Sequence, residues 1–206
     1  MKLLLCSFWT STEQDRELSK LVGKEPQHTK VAYIENAYDV YPDEKSLIEG
    51  RNTLRDKGFD FEVVDLRNYK DKYDELRKKL ESKDVFWLTG GNPFYLRWLM
   101  KTVGADEIIK DLVAKGSVYV GASASSVVAG PTLKYFDNQD DPNEAEEIIW
   151  EGLGLTQTVV VPHIDNKEFG EGCREAGEHL KKDGFTTQPI KDDQAFLING
   201  DYHAVI

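Results

Sequence analysis

The sequence predicts an α/β fold: a three-layer sandwich on a mostly parallel sheet, in a single domain over residues 1–206. Three observations predict it. Short apolar runs alternate with longer amphipathic stretches, as parallel strands joined by crossover helices do. Small-residue turns follow two of those runs, at Gly90-Gly91 and at Gly121-Ala122-Ser123. The chain has 206 residues, 40% hydrophobic and 31% charged, enough to bury a sheet between two helical layers beneath a solvated surface.

Taken in order, residues 2–8 form a first buried strand, because this apolar stretch is too short for a signal peptide's hydrophobic region plus its cleavage site. Further strands fall near 30–35, 61–65, 85–89, 118–121 and 158–161, with helices between them. Pro42 suits a first helical turn, where an N–H has no partner to lose. Gly58, Gly116 and Gly184 each close a helical pattern, the last of them spanning 168–183. Residues 195–198 and 202–206 flank Asn199-Gly200, a pair that readily takes the positive φ angles of a tight turn, and so predict a C-terminal β-hairpin. Residues 135–147, rich in Asp, Asn and Glu, form a polar loop that is either functional or a solvated insertion.

The formal net charge of −11 argues against nucleic acid and anionic membrane surfaces as partners. It also means that any bound anion must be held by a local cation or a helix N-terminus. No run approaches membrane-spanning length. The two cysteines, Cys6 in the first strand and Cys173 in a polar helix, have nothing to pair them, which fits a reducing, cytoplasmic setting. No cofactor is expected, since no His/Cys/Asp cluster has metal-ligand spacing.

The string Gly121-Ala122-Ser123-Ala124-Ser125 follows a buried strand and precedes a short apolar helix. In a nucleophile elbow the serine sits on a strained turn, with small residues two before and two after because strand and helix backbones nearly touch. Gly121 meets the first need; Ser125 stands at the second, where glycine is usual. By itself the string is also compatible with a turn without chemistry. Gly90-Gly91-Asn92-Pro93 follows another buried strand, so the Gly91 and Ala124 N–H groups are candidates for an oxyanion hole. His163 follows a third strand and is the candidate general base; His28, His179 and His203 lie in less suitable places.

Gly90-Gly91-Asn92-Pro93-Phe94, Gly121-Ala122-Ser123-Ala124 and Val161-Pro162-His163, in that order, resemble the peptidase E (aspartyl dipeptidase) and cyanophycinase family of serine peptidases. The resemblance implies a fold similar to class I glutamine amidotransferases, hydrolysis of a small peptide substrate after an N-terminal Asp, and a homodimer. Carried over, Ser123 is the nucleophile, His163 the base, and Asp140 the acidic member, with Asp137 and Asp165 as rivals. Asn92 and Arg174 are assigned to substrate binding; Arg174 would grip the Asp carboxylate with two parallel hydrogen bonds, or else pair on the surface with Glu171 or Glu178. Ser125 departs from the family pattern and leaves a second reading, a non-catalytic binding protein on the same fold. A nucleotide-binding domain ranks last, because no phosphate-binding glycine motif follows any strand.

Overall fold

The apolar runs become strands because a sheet covered on both faces can bury consecutive side chains in opposite directions. The computed structural model describes residues 1–9, 11–41 and 44–206. Strands β1 (Lys2–Cys6), β2 (Lys30–Ile34), β3 (Asp60–Val63), β4 (Val85–Leu88) and β5 (Val118–Ala122) are parallel. Strand β6 (Thr158–Val161) leaves this sheet and pairs in parallel with β7 (Thr186–Pro189). The expected hairpin forms from β8 (Ala195–Asn199) and β9 (Tyr202–Val205), turning at Gly200 with φ 60°. The main sheet has the order β3-β2-β4-β5-β1-β8-β9, with β8 antiparallel to β1. Strand β7 was not expected: Thr186-Thr187-Gln188-Pro189 carries no apolar run, and its pairing with β6 makes it a strand.

Seven α-helices lie among the described residues: α1 (Thr12–Val22), α2 (Glu44–Asp56), α3 (Tyr73–Glu81), α4 (Pro93–Val103), α5 (Ala105–Ala114), α6 (Ala124–Val128) and α7 (Gly170–Lys182). Alternation along β1 shows the layers. Leu3 and Leu5 join one core with Leu80 of α3, Met100 of α4 and Ile108 of α5. Leu4 and Cys6 face the other core, with Leu18 of α1 and Leu54 of α2. Gly58, Gly116 and Gly184 follow α2, α5 and α7 at positive φ, as a helix stop requires. Pro42, expected in a first helical turn, lies outside the described residues. No helix among the described residues is long and apolar enough to cross a membrane.

The polar loop at 135–147 folds into two short 3₁₀ turns, Phe136–Asn138 and Pro142–Glu144. It is tied to the body where the Asn92 Nδ2 donates to the Asp141 carbonyl at 2.9 Å and the Asn138 Nδ2 donates to the Gly172 carbonyl at 3.0 Å. These anchors set the loop beside the carboxyl ends of β4 and β5, where ligands bind in open α/β sheets.

Candidate active site

Ser123 occupies the turn between β5 and α6 with φ 52° and ψ −115°, a strained conformation for a residue with a side chain. The strain follows from how tightly strand and helix meet. A Cβ on Gly121 would lie 2.8 Å from both the Ser125 carbonyl oxygen and the Ser126 nitrogen, so only glycine fits there. Ser125 is accommodated by bonding. Its buried hydroxyl accepts from the Ala122 N–H at 2.8 Å and donates to the Leu88 carbonyl at 2.7 Å, tying the end of β4 to the elbow. The Ser126 hydroxyl lies 2.8 Å from both the Cys6 and Gly121 carbonyls and fixes the other side.

The Ser123 Oγ lies 2.8 Å from the His163 Nε2, and the His163 Nδ1 lies 2.7 Å from the Asp192 Oδ1. His163 is only 4% exposed and sits at φ 59°, its ring packed between Phe8 and Phe169 with centroids 4.4 and 5.5 Å away. Its backbone N–H donates to the Ser7 hydroxyl at 3.0 Å. Burial lowers the imidazole pKa, against the opposing pull of Asp192, so the ring is neutral near pH 7. With Nδ1–H donating to Asp192, Nε2 is free to accept the Ser123 proton. Asp192 is itself positioned: its Oδ2 accepts from the Asn166 Nδ2 at 2.7 Å, and its N–H donates to the Asp165 Oδ1 at 2.9 Å.

The expectation that Asp140 partners His163 is therefore corrected. The Asp140 Oδ1 accepts instead from the Tyr41 hydroxyl at 2.5 Å, on a different wall of the cavity. Asp165 supports Asp192 and does not face the imidazole ring within hydrogen-bond reach, and Asp137 lines a separate, shallower hollow. Sequence spacing does not point to Asp192, because it belongs to the approach to β8, far along the chain. That strand is antiparallel to β1 and pairs Ala195 with Cys6, so its start lies where the parallel strands end. The predicted hairpin direction was the signal that could have found it.

Gly91 has φ 125°, and a Cβ there would sit 2.3 Å from the Ala37 carbonyl oxygen. Gly91 and Ala124 both line the cavity beside Ser123, and neither N–H has a backbone acceptor among the described residues. The first-turn N–H of α6 has no intrahelical partner to begin with. Asn92 is corrected too. Fully buried, its Oδ1 accepts from the Phe94 and Tyr95 N–H groups and caps α4, while its Nδ2 holds the 135–147 loop; no part of it lines the cavity. Arg174 is likewise turned away. It is exposed, its guanidinium donates to the Ile164 carbonyl, and its neighbour Cys173 faces the cavity in its place. The Cys173 thiol is pushed up to about 12 by burial and by the charges of Asp140 and Asp192.

The sequence model of peptidase family S51 matches residues 3–206. The chain belongs to peptidase family S51. Among the relatives of this S51 chain, an uncharacterised peptidase of Listeria innocua is 30% identical over 137 residues, an alignment spanning 66% of this chain and 65% of that protein. Peptidase E of a Nostoc species is 27% identical over 194 residues, covering 91% of this chain and 76% of its own. A solved structure of a candidate peptidase E from Listeria monocytogenes EGD-e superposes with a TM-score of 0.85 at 26% identity, covering all of this chain and 97% of that one. The S51 chain is thus a peptidase-family protein related to peptidase E. Its α/β fold, with a mostly parallel sheet and antiparallel C-terminal strands, is shared with that neighbour.

Proposed function

We propose that this S51 chain is a serine-type peptidase that cleaves short peptides through an acyl-enzyme on Ser123. The observation that carries the reading is the continuous Ser123–His163–Asp192 relay, with contacts of 2.8 and 2.7 Å, mounted on a positive-φ elbow. In the first step the Ser123 Oγ attacks the scissile carbonyl carbon while His163 Nε2 takes the hydroxyl proton. The carbonyl oxygen becomes an oxyanion stabilised by the Gly91 and Ala124 N–H groups. His163 returns the proton to the leaving amine as the C–N bond breaks and the ester forms. Water then attacks that ester with His163 again as base, releasing the acid and restoring Ser123. Asp192 holds the tautomer and stabilises the imidazolium.

The elbow keeps its geometry with Ser125 in place, which favours the enzyme over a non-catalytic binder. The cavity of about 680 Å³ suits a small peptide. No Lys or Arg lines it among the described residues, and Arg174 is engaged elsewhere, so the reading does not include a requirement for N-terminal Asp. A fluorophosphonate probe tests the chemistry. Wild type is expected to label at Ser123, with labelling lost in Ser123→Ala and strongly slowed in His163→Ala, all three proteins remaining folded. A folded wild type that does not label, or labelling that persists in Ser123→Ala, overturns the reading.

A further inference from the structure

The relay leaves one carboxylate in the cavity without a task. Asp140 lines the same cavity as Ser123, mostly withdrawn from bulk water, with Oδ1 held by the Tyr41 hydroxyl at 2.5 Å. No ion pair reaches it among the described residues. The same cavity carries aromatic rings: Tyr38 and Tyr41, which meet edge to face at 5.9 Å, and Phe8, Phe136 and Phe169. A carboxylate and aromatic rings sharing one cavity match an organic cation on two counts. The anion supplies a charge-assisted hydrogen bond, and ring faces attract positive charge. The anion repels a second carboxylate.

We propose that Asp140, oriented by Tyr41, binds an ammonium group on the acyl half of the substrate, so that the enzyme selects cationic over acidic peptides. The proposal rests on the peptidase reading above. The ammonium can come from the free N-terminus of a substrate cut near its first residue or from a lysine side chain. The N-terminus is favoured, since every short peptide with a free amino end carries that charge.

The test compares kcat/KM for Ala-Leu amide, its N-acetyl form, Lys-Leu amide and Asp-Leu amide in wild type and Asp140→Asn, with fluorophosphonate labelling measured alongside. Wild type is expected to prefer the free amine to the acetylated form by roughly ten- to a hundredfold, and to turn over Asp-Leu amide least. In Asp140→Asn the free-amine preference should collapse toward unity, through KM, while probe labelling continues near the wild-type rate. If only the Lys-over-Ala preference collapses, the same carboxylate reads a side-chain ammonium. If labelling is normal and both preferences survive, or Asp-Leu amide is the best wild-type substrate, the proposal is overturned and the serine-peptidase reading stands. Failure of wild type to label would instead remove the peptidase reading. A measurement on wild type alone guards against a misfolded variant: alanine amide should protect Ser123 from the probe at concentrations where N-acetyl-alanine amide does not, and equal protection by both refutes the proposal.

Discussion

Replacing Asp140 by Asn should stabilise the folded protein, and by an amount that depends on pH. Burial raises the Asp140 pKa from 3.8 to about 6, against a smaller opposing contribution from the Tyr41 hydroxyl. The folded state therefore holds this proton more tightly than the unfolded chain does. Between about pH 4 and pH 6 the folded form binds more protons, so stability falls as pH rises through that window, and the full cost is present above it. The shift of about two units corresponds to a ceiling of about 3 kcal/mol at pH 8, and about 1 kcal/mol at pH 4.5. The cavity opens to water, which brings the expected gain at pH 8 down to about 1–3 kcal/mol. Asn keeps an oxygen to accept from Tyr41, so the substitution removes charge with little change of shape. Urea denaturation of both proteins at pH 4.5 and pH 8 measures the difference; by thermal unfolding each kcal/mol should appear as roughly 2–4 °C in Tm. A variant less stable than wild type at pH 8, or a gain no larger there than at pH 4.5, would refute the reasoning. A gain in stability together with lost amine selectivity would show a carboxylate kept for function at a cost to folding.

Asp192→Asn should lower kcat by on the order of 10³–10⁴ without unfolding the protein, because the amide favours the wrong imidazole tautomer; a loss under tenfold in steady-state assays would remove Asp192 from the relay. The acid limb of kcat/KM for a neutral ester should have its midpoint below 6.5, since His163 must be neutral to act as base and burial lowers its pKa; a midpoint at 7 or above contradicts this. Ser125→Ala should destabilise the fold by about 1–3 kcal/mol in urea, because the Ala122 N–H and the Leu88 carbonyl lose their partner; an unchanged midpoint would mean the hydroxyl is not part of the elbow's support.

The parts of this site that were legible in the sequence are those whose geometry is local. Gly121, Ser123 and Gly91 could be read because a buried strand followed at once by small residues dictates a tight turn, and the structure adds the reason in the close approaches a Cβ would meet at Gly121 and Gly91. His163 was legible because it follows the buried strand β6 at once, directly after Pro162. Asn92 could have been read better: an Asn immediately before a Pro is a helix N-cap signal, and capping consumes the amide oxygen that a ligand would need. Arg174 failed by helix phase, since adjacent helical residues point about 100° apart and Cys173 already faces the cavity. Asp192 was different in kind. Nothing near Ser123 or His163 in the chain leads to it; it arrives because β8 runs against β1, which puts the beginning of a late strand at the edge where the early ones finish. Asp140, nearer the serine in the chain, lines the same cavity but is bonded to Tyr41 and not to the imidazole. Strand direction points instead to the residues just before the hairpin. For a relay whose serine and acid meet at one sheet edge, strand direction decides which carboxylates can reach the histidine, and sequence spacing does not.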